Sequence, residues 1–348
     1  DVLLSPDLLP QLFSSLGLSE HAAAGVCTTW SRAYSRQLRR CRYVNPRSER
    51  QLADVPTHPN GLCMLPGGVL AITSCEDHPA VKFVAARNDS DPQALAACQA
   101  SSLAARHFEW PMGLVLTNDG LLVCNVNHST ALCKFAKDGS MDELVTVPVL
   151  ADERGFRRCA VHQQTQRTYA LALEAEEGHS AVVLLDANLQ VITTVESAVA
   201  PEGADMDHEG STMAPICDVA VHGDQVIVLT SNIHAEGSGL RLLDLDGRFL
   251  RIIGHDDCDG GAWQFQNPSA VTASHGRAFV VDESPGKPGR VGKVLFIIDI
   301  QSGDIIQIVR LYLIVGAVTA ILVDGDEVYI ADFGASKVVV FELAGSEV

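Results

Sequence analysis

"HPNGLCMLPGGVLAITS", residues 58–74, sets a pattern: a Pro, a short apolar strand, a Gly-rich turn and a second apolar strand. The pattern returns as "WPMGLVLTNDGLLVCNV" (110–126), "APICDVAVHGDQVIVLT" (214–230) and "NPSAVTASHGRAFVVDE" (267–283). Two further copies lack the Pro: "RRCAVHQQTQRTYALAL" (157–173) and "AVTAILVDGDEVYIADF" (317–333). Apolar runs of this length, punctuated by Gly, Asp and Asn, read as strands and turns.

Each copy continues into a polar loop and a third strand, as in "AVKFVAA" (80–86), "AVVLLDAN" (181–188) and "KVVVFELAG" (337–345). A fourth strand follows in several, as in "QVITTV" (190–195), "RFLRIIG" (248–254) and "DIIQIVRL" (304–311). A four-stranded unit of this size cannot bury both faces alone, so six of them predict radial stacking into a six-bladed β-propeller over residues 47–348. The last copy stops after its third strand. Ring closure therefore needs a strand from the N-terminal side, and "RQLADV" (50–55) is the expected donor. "DPQALAACQASSLAA" (91–105) reads equally as an Asp-capped, Pro-started helix or as a strand.

The blade sequences "YIADFGASKVVVFELAG" (329–345) and "LLVCNVNHSTALCKFAKDG" (121–139) resemble the NHL repeat, with its strand, Asp/Asn loop, strand and Gly turn. Residues 1–46 differ in kind. Leu8, Leu9, Leu12, Phe13 and Leu16 fall at helical spacing, and a second stretch from Ser19 ends in arginines. This opener resembles the F-box: Leu4, Asp7, Leu8, Leu9, Leu12, Phe13 and Leu16 stand in its opening register, and Val26, Cys27 and Trp30 in its closing one. It departs from the pattern at Ser5, at Pro10 and in a span one residue short before Val26. The resemblance implies docking of Leu4, Leu8, Leu9, Leu12, Phe13 and Leu16, with Val26, Cys27 and Trp30, onto the adaptor of a cullin-RING ubiquitin ligase. A helical cap packed on the propeller is the alternative reading of the same stripe.

Charge separates the two parts further. The chain of 348 residues carries −18. Within 1–46, five arginines against Asp1, Asp7 and Glu20 leave +2, so the remainder carries −20. Such a body repels nucleic-acid phosphate and anionic lipid, so neither nucleic acid nor membrane is an expected partner. The longest apolar run, Leu311 to Val323, is shorter than a spanning helix and holds Gly316, which suggests one strand turning into the next. No basic stretch leads an apolar run at the start, so no secretory signal is expected. Ten cysteines without Cys-x-x-Cys pairs point to reduced thiols in the cytoplasm or nucleus.

Loops after second strands and before first strands share one rim of a propeller. They gather Glu76, Asp77, Glu176, Glu177, Glu236, Asp282, Glu283 and Asp332, with few cations, chiefly Arg154, Arg157, Arg158, Lys287, Arg290 and Lys293. The expectation is an acidic rim that binds a basic segment of a client protein. Solvated loops are polar in any case, which is the competing explanation.

An enzymatic reading, a metal-dependent hydrolase or lyase, rests on His78, His128, His179 and His234, each just after a second strand. Their loop spacings do not force convergence, and no cofactor or metal is expected. "DMDHEG" (205–210) starts like a calcium loop but has Ile216 where the bidentate Glu belongs. "GKPGRVGK" (286–293) lacks the Lys-Ser/Thr ending of a phosphate loop. The resemblance to the F-box implies a non-catalytic substrate receptor, with client recognition on the propeller.

Overall fold

The computed structural model describes residues 42–75, 79–100, 108, 110–126, 132–136, 141–145, 155–173, 180–196, 215–231, 238–254, 265–283 and 292–345. Two short strands come first, β1 (Arg42–Val44) and β2 (Arg50–Gln51). The first sheet holds β3 (Pro59–Leu65), β4 (Val69–Ser74) and β5 (Ala80–Ala85), followed by helix α1 (Pro92–Ala100). The second is β6 (Pro111–Leu116), β7 (Gly120–Asn125), β8 (Leu132–Ala136) and β9 (Met141–Val145). The third is β10 (Gly155–His162), β11 (Arg167–Leu173), β12 (Ser180–Leu185) and β13 (Val191–Glu196). The fourth is β14 (Ile216–His222), β15 (Gln225–Thr230), β16 (Gly239–Asp244) and β17 (Phe249–Ile253). The fifth is β18 (Pro268–Ser274), β19 (Arg277–Asp282), β20 (Lys293–Asp299) and β21 (Ile305–Leu311). The sixth joins β22 (Val318–Asp324), β23 (Glu327–Asp332) and β24 (Lys337–Gly345) to β1 and β2.

Inside each sheet consecutive strands are antiparallel neighbours, so each blade is a meander. The first strands touch in series, β3 to β6, β10, β14, β18 and β22, and β22 returns to β3. The protein is a six-bladed β-propeller. Six apolar clusters, one per seam, fill the spaces between neighbouring blades. Second strands are buried on both faces, which explains why "VLAITS" and "RAFVVD" are near-continuous apolar runs rather than alternating ones. Burying each Leu, Ile, Val or Phe contributes about 1.5–3 kcal/mol, so the seams dominate stability. Tight hairpins join first to second strands; at His275 and Gly276, φ of 54° and 75° makes the two-residue turn a type I′.

Ring closure follows the expected route with a different register. Only Arg50–Gln51 of the expected donor pair with β24, at Val340 and Val339, and Leu52 N–H continues to Val338 O. The longer share of the closing edge is β1, whose Arg42, Tyr43 and Val44 face Gly345, Ala344 and Leu343. Pro46 has no N–H to donate, and the edge is interrupted there before β2 resumes it. Thus Arg42–Val44, within the stretch grouped with the helical opener, belong to the last blade.

The described part of the ambiguous segment, Pro92–Ala100, is a helix. Asp91 Oδ1 accepts from Gln93 N–H at 2.9 Å and caps α1, with Pro92 as its first residue. Leu95 and Cys98 pack on the cluster between the first and second blades, and Gln99 Nε2 donates to Phe83 O at 3.2 Å on β5. The edge of the first sheet is thereby covered. No helix among the described residues is long and apolar enough to cross a membrane. The run 311–323 is the end of β21, a turn and most of β22, as expected.

Candidate functional site

The six inner strands share one irregularity. Each carries a β-bulge near its start, between Pro59 and Gly61, Pro111 and Leu114, Phe156 and Arg158, Ile216 and Asp218, Pro268 and Ala270, and Val318 and Ala320. Bulges re-aim side chains, and six of them at one level make a ring at the channel mouth. Two residues past the first residue of each bulge stand Gly61, Gly113, Arg158, Asp218, Ala270 and Ala320. Four are Gly or Ala; the third and fourth blades supply Arg and Asp.

The small residues are required. A Cβ on Gly61 would come within 2.3 Å of Met112 O, and one on Gly113 within 2.9 Å of Arg158 Cα. The space so preserved admits one long side chain. Arg158 is 5% exposed and crosses the channel: its Nη2 donates to the carbonyl of Thr319 in the opposite blade, and its Nη1 to Arg157 O at 3.0 Å. Its Nε lies 3.9 Å from Asp218 Oδ1, too far for a hydrogen bond. Asp218 is also 5% exposed, and its carboxylate accepts Val219 N–H and Val271 N–H, each at 2.8 Å, tying the fourth blade to the fifth. Burial raises the Asp218 carboxyl against the pull of Arg158 and lowers the Arg158 guanidinium against the pull of Asp218.

Arg158 and Asp218 are among the residues lining a cavity of about 200 Å³ between the inner strands. Its wall is mostly apolar, with Cys63, Val161, Val219, Ala220 and Leu322 among the lining residues. Burial pushes the Cys63 thiol up to about 12, and that of Cys217, beside the mouth, also up to about 12. Cys159 rises well above its ordinary value through a hydrogen bond with Cys124 and through burial. Thiols held protonated in this way are poor nucleophiles and poor metal ligands. Among the described residues no group of three or more His, Cys, Asp or Glu is placed to hold a metal ion.

The structure redefines the expected acidic rim. Asp282 and Asp332 stand at the rim end of β19 and β23, yet both are fully buried. Asp282 accepts from Gln266 N–H and Asn267 N–H, each at 2.9 Å. Asp332 accepts from Val315 N–H at 2.9 Å and Ala335 N–H at 3.1 Å. Asn125 does the same for Trp110 N–H at 2.9 Å. An acid or amide at this position ties down the loop that leads into the inner strand, so these carboxylates do not face a client. Glu283 pairs with Lys293 at 3.0 Å, which uses one of the rim's few cations.

The described rim also exposes large apolar side chains: Trp110 ahead of β6, and Tyr312, Leu313 and Val315 ahead of β22. Glu76, Asp77, Glu176, Glu177 and Glu236 lie outside the described residues, as do Leu4 to Trp30 and His78, His128, His179 and His234. Arg158 and Asp218 were missed as a pair. Aligning the six copies on their bulges reveals them as the charged members of a Gly/Ala column.

Comparisons with known proteins agree on fold and go no further. No family model matches the chain, and no curated protein matches it. Among solved structures it resembles the hydrazine synthase of Kuenenia stuttgartiensis, with a TM-score of 0.52 and 15% identity over 84% of this chain and 97% of that one. It also resembles a structural-genomics protein of unknown function from Bacteroides thetaiotaomicron, with a TM-score of 0.54 and 10% identity over 84% and 72%. A third is the PQQ-bound aldose sugar dehydrogenase of Streptomyces coelicolor, with a TM-score of 0.52 and 13% identity over 85% and 98%. At such identities the likeness is one of architecture alone.

Proposed function

We propose that the chain is a non-catalytic substrate receptor of a cullin-RING ubiquitin ligase in the cytoplasm or nucleus. The observation that carries this reading is the F-box-like pattern in the sequence from Leu4 to Trp30, followed by a ring that closes through a strand starting at Arg42. Arg42 opens the strand at the outer edge of the last blade, away from the channel. A docking module attached there would leave the channel mouth and rim to the client. Leu4, Leu8, Leu9, Leu12, Phe13 and Leu16 would meet the adaptor, with Val26, Cys27 and Trp30 shaping that module. The client would engage exposed apolar side chains flanking the first blade, Trp110 on one side and Tyr312 and Val315 on the other. Rim acids Glu76, Asp77, Glu176, Glu177 and Glu236 would add the preference for a basic segment.

Co-purification with adaptor and cullin subunits tests the reading. Wild type is expected to bind, and Leu12→Asp/Phe13→Asp to lose binding while its circular dichroism and melting transition stay unchanged. A well-folded wild type that fails to bind the adaptor overturns it.

A further inference from the structure

We infer that a pocket between the second and third blades, on the face opposite the rim, binds a small neutral polyol. The pocket is a cavity of about 130 Å³ bounded by the β6–β7, β10–β11 and β12–β13 turns and the strands behind them. Four of the polar side chains lining it have bonding capacity to spare. Thr168 is 1% exposed, and among the described residues nothing hydrogen-bonds to its hydroxyl. Lys134, with a side chain 23% exposed, meets only the Asp119 carboxylate among the described residues, at 3.5 Å. Asp119 is itself 72% exposed and can turn to a ligand at little cost. Asn118 engages Gln166 Oε1 through its backbone N–H at 2.8 Å, which leaves its side-chain amide open. Buried polar groups are ordinarily paired, so the open Thr168 hydroxyl and the loosely paired Lys134 call for a ligand.

The rest of the wall is fixed. Thr117 Oγ1 donates to Gly120 O at 3.0 Å and accepts Gly120 N–H at 3.1 Å, and Gln166 Nε2 donates to Gln163 O at 2.7 Å. Gln166 and Leu189 hold φ of 55° and 60°, left-handed values that side chains of this kind avoid. At the turn position of Leu189, the fourth and fifth blades have Gly247 and Gly303. The third blade thus accepts backbone strain to place a leucine where it and Leu122 form the apolar side of the pocket.

One cation, one anion, one amide and one hydroxyl make the pocket neutral and set donors beside acceptors. A singly charged ligand would satisfy one member of the Lys134–Asp119 pair and repel the other. Adjacent hydroxyls satisfy both, since each can donate to Asp119 or accept from Lys134, while their C–H side rests on Leu122 and Leu189. One water takes about 30 Å³ of liquid, and sites for drug-sized ligands begin at roughly 300 Å³, so a polyol between glycerol and inositol in size fits. The site does not rest on the ligase reading, since it is built wholly from the ring.

NMR of the full chain with labelled leucine methyl groups, at constant ionic strength, tests the inference. The probes are erythritol, myo-inositol, acetate and glycine. Saturable shifts of the Leu122 and Leu189 methyls are expected with at least one polyol. Thr168→Val keeps the shape without the hydroxyl and is expected to weaken that binding about fivefold, the worth of one neutral hydrogen bond. Lys134→Met keeps the stem and is expected to weaken it about tenfold or more, as for a bond to a charged group. Arg310→Gln, on exposed β21, leaves it unchanged. The methyl spectra also report whether each variant is folded, and Thr168→Val decides if Lys134→Met is not. Tighter binding of acetate or glycine than of either polyol overturns the neutral ligand. Shifts that do not saturate with the polyols, or equal affinity in wild type and both pocket variants, overturn the site. The Leu12→Asp/Phe13→Asp variant is expected to bind the polyol as wild type does, which separates this result from that of adaptor docking.

Discussion

Two clusters of arginine and carboxylate sit in the ring and behave differently. At the seam between last and first blades, Glu327 accepts from Arg50 at 2.6 Å, Arg87 at 2.7 Å and Tyr329 at 2.5 Å. Arg87 also reaches Asp324 Oδ2 at 2.7 Å and its carbonyl at 2.8 Å. Every group there has a purpose within the fold: the cluster fastens the end of the ring to its beginning. In the channel, Arg158 and Asp218 are more deeply placed, and the Nε atoms of Arg157 and Arg158 are less completely paired. The seam shows charge with every group bonded; the channel leaves two buried Nε donors without a hydrogen bond.

The comparison can be broken or sharpened by mutation, and the largest effect is expected where a hydrogen-bonded carboxylate is most deeply buried. Asp332→Ala removes two bonds to a buried carboxylate, from the part-buried Val315 N–H and Ala335 N–H, at about 1.5–3 kcal/mol for each charge-assisted bond, read by denaturant unfolding. A loss below about 1 kcal/mol would mean the loop is held by something else. Next comes Glu327→Ala. Its three bonds are partly screened, since Arg50 and Arg87 are 39% and 31% exposed, so the expected loss is about 2–3 kcal/mol.

The two clusters should also answer pH with opposite signs. Burial works to raise the Glu327 carboxyl, but bonds from Tyr329, Arg87 and Arg50 outweigh it and hold it below its ordinary 4.5. Its stabilisation is complete above 4.5 and is lost as pH falls through the lowered value. Asp218 is raised by burial above its ordinary 3.8, so its ionised form costs stability, and that cost is relieved as pH falls through the raised value. Stability measured from pH 7 down to pH 3 should therefore fall less steeply in Glu327→Gln and more steeply in Asp218→Asn than in wild type. Parallel profiles for all three would remove the distinction. The smallest effect is expected at Arg157→Gln, within about 0.5 kcal/mol, because its Nε has no bond to lose. A loss above 2 kcal/mol would make Arg157 a structural residue like those of the seam.

Much of the fold was legible in the sequence because it is local. Alternating and continuous apolar runs mark the strands, Gly and Asp mark the turns, and six copies set the blade number, each by interactions within a few residues of chain. The candidate site was less legible. Asp282 and Asp332 read as rim acids, since a carboxylate after an apolar strand looks the same whether it faces solvent or a loop's N–H groups. Arg157 and Arg158 read as scattered loop cations for the same reason.

By itself, then, the sequence determined a six-bladed β body, preceded by a stretch of different apolar spacing and charge. Only the tertiary structure decided the closing register of Arg42–Val44 and Arg50–Gln51, the inward turn of Asp282 and Asp332, and the reach of Arg158 to Thr319. Each of the three depends on close packing: the first and last join chain segments hundreds or more than a hundred residues apart, and the inward turns require loops folded back onto strand ends. Hydrophobic periodicity specifies which face of a strand is buried; it does not specify what a polar side chain meets once the ring has closed.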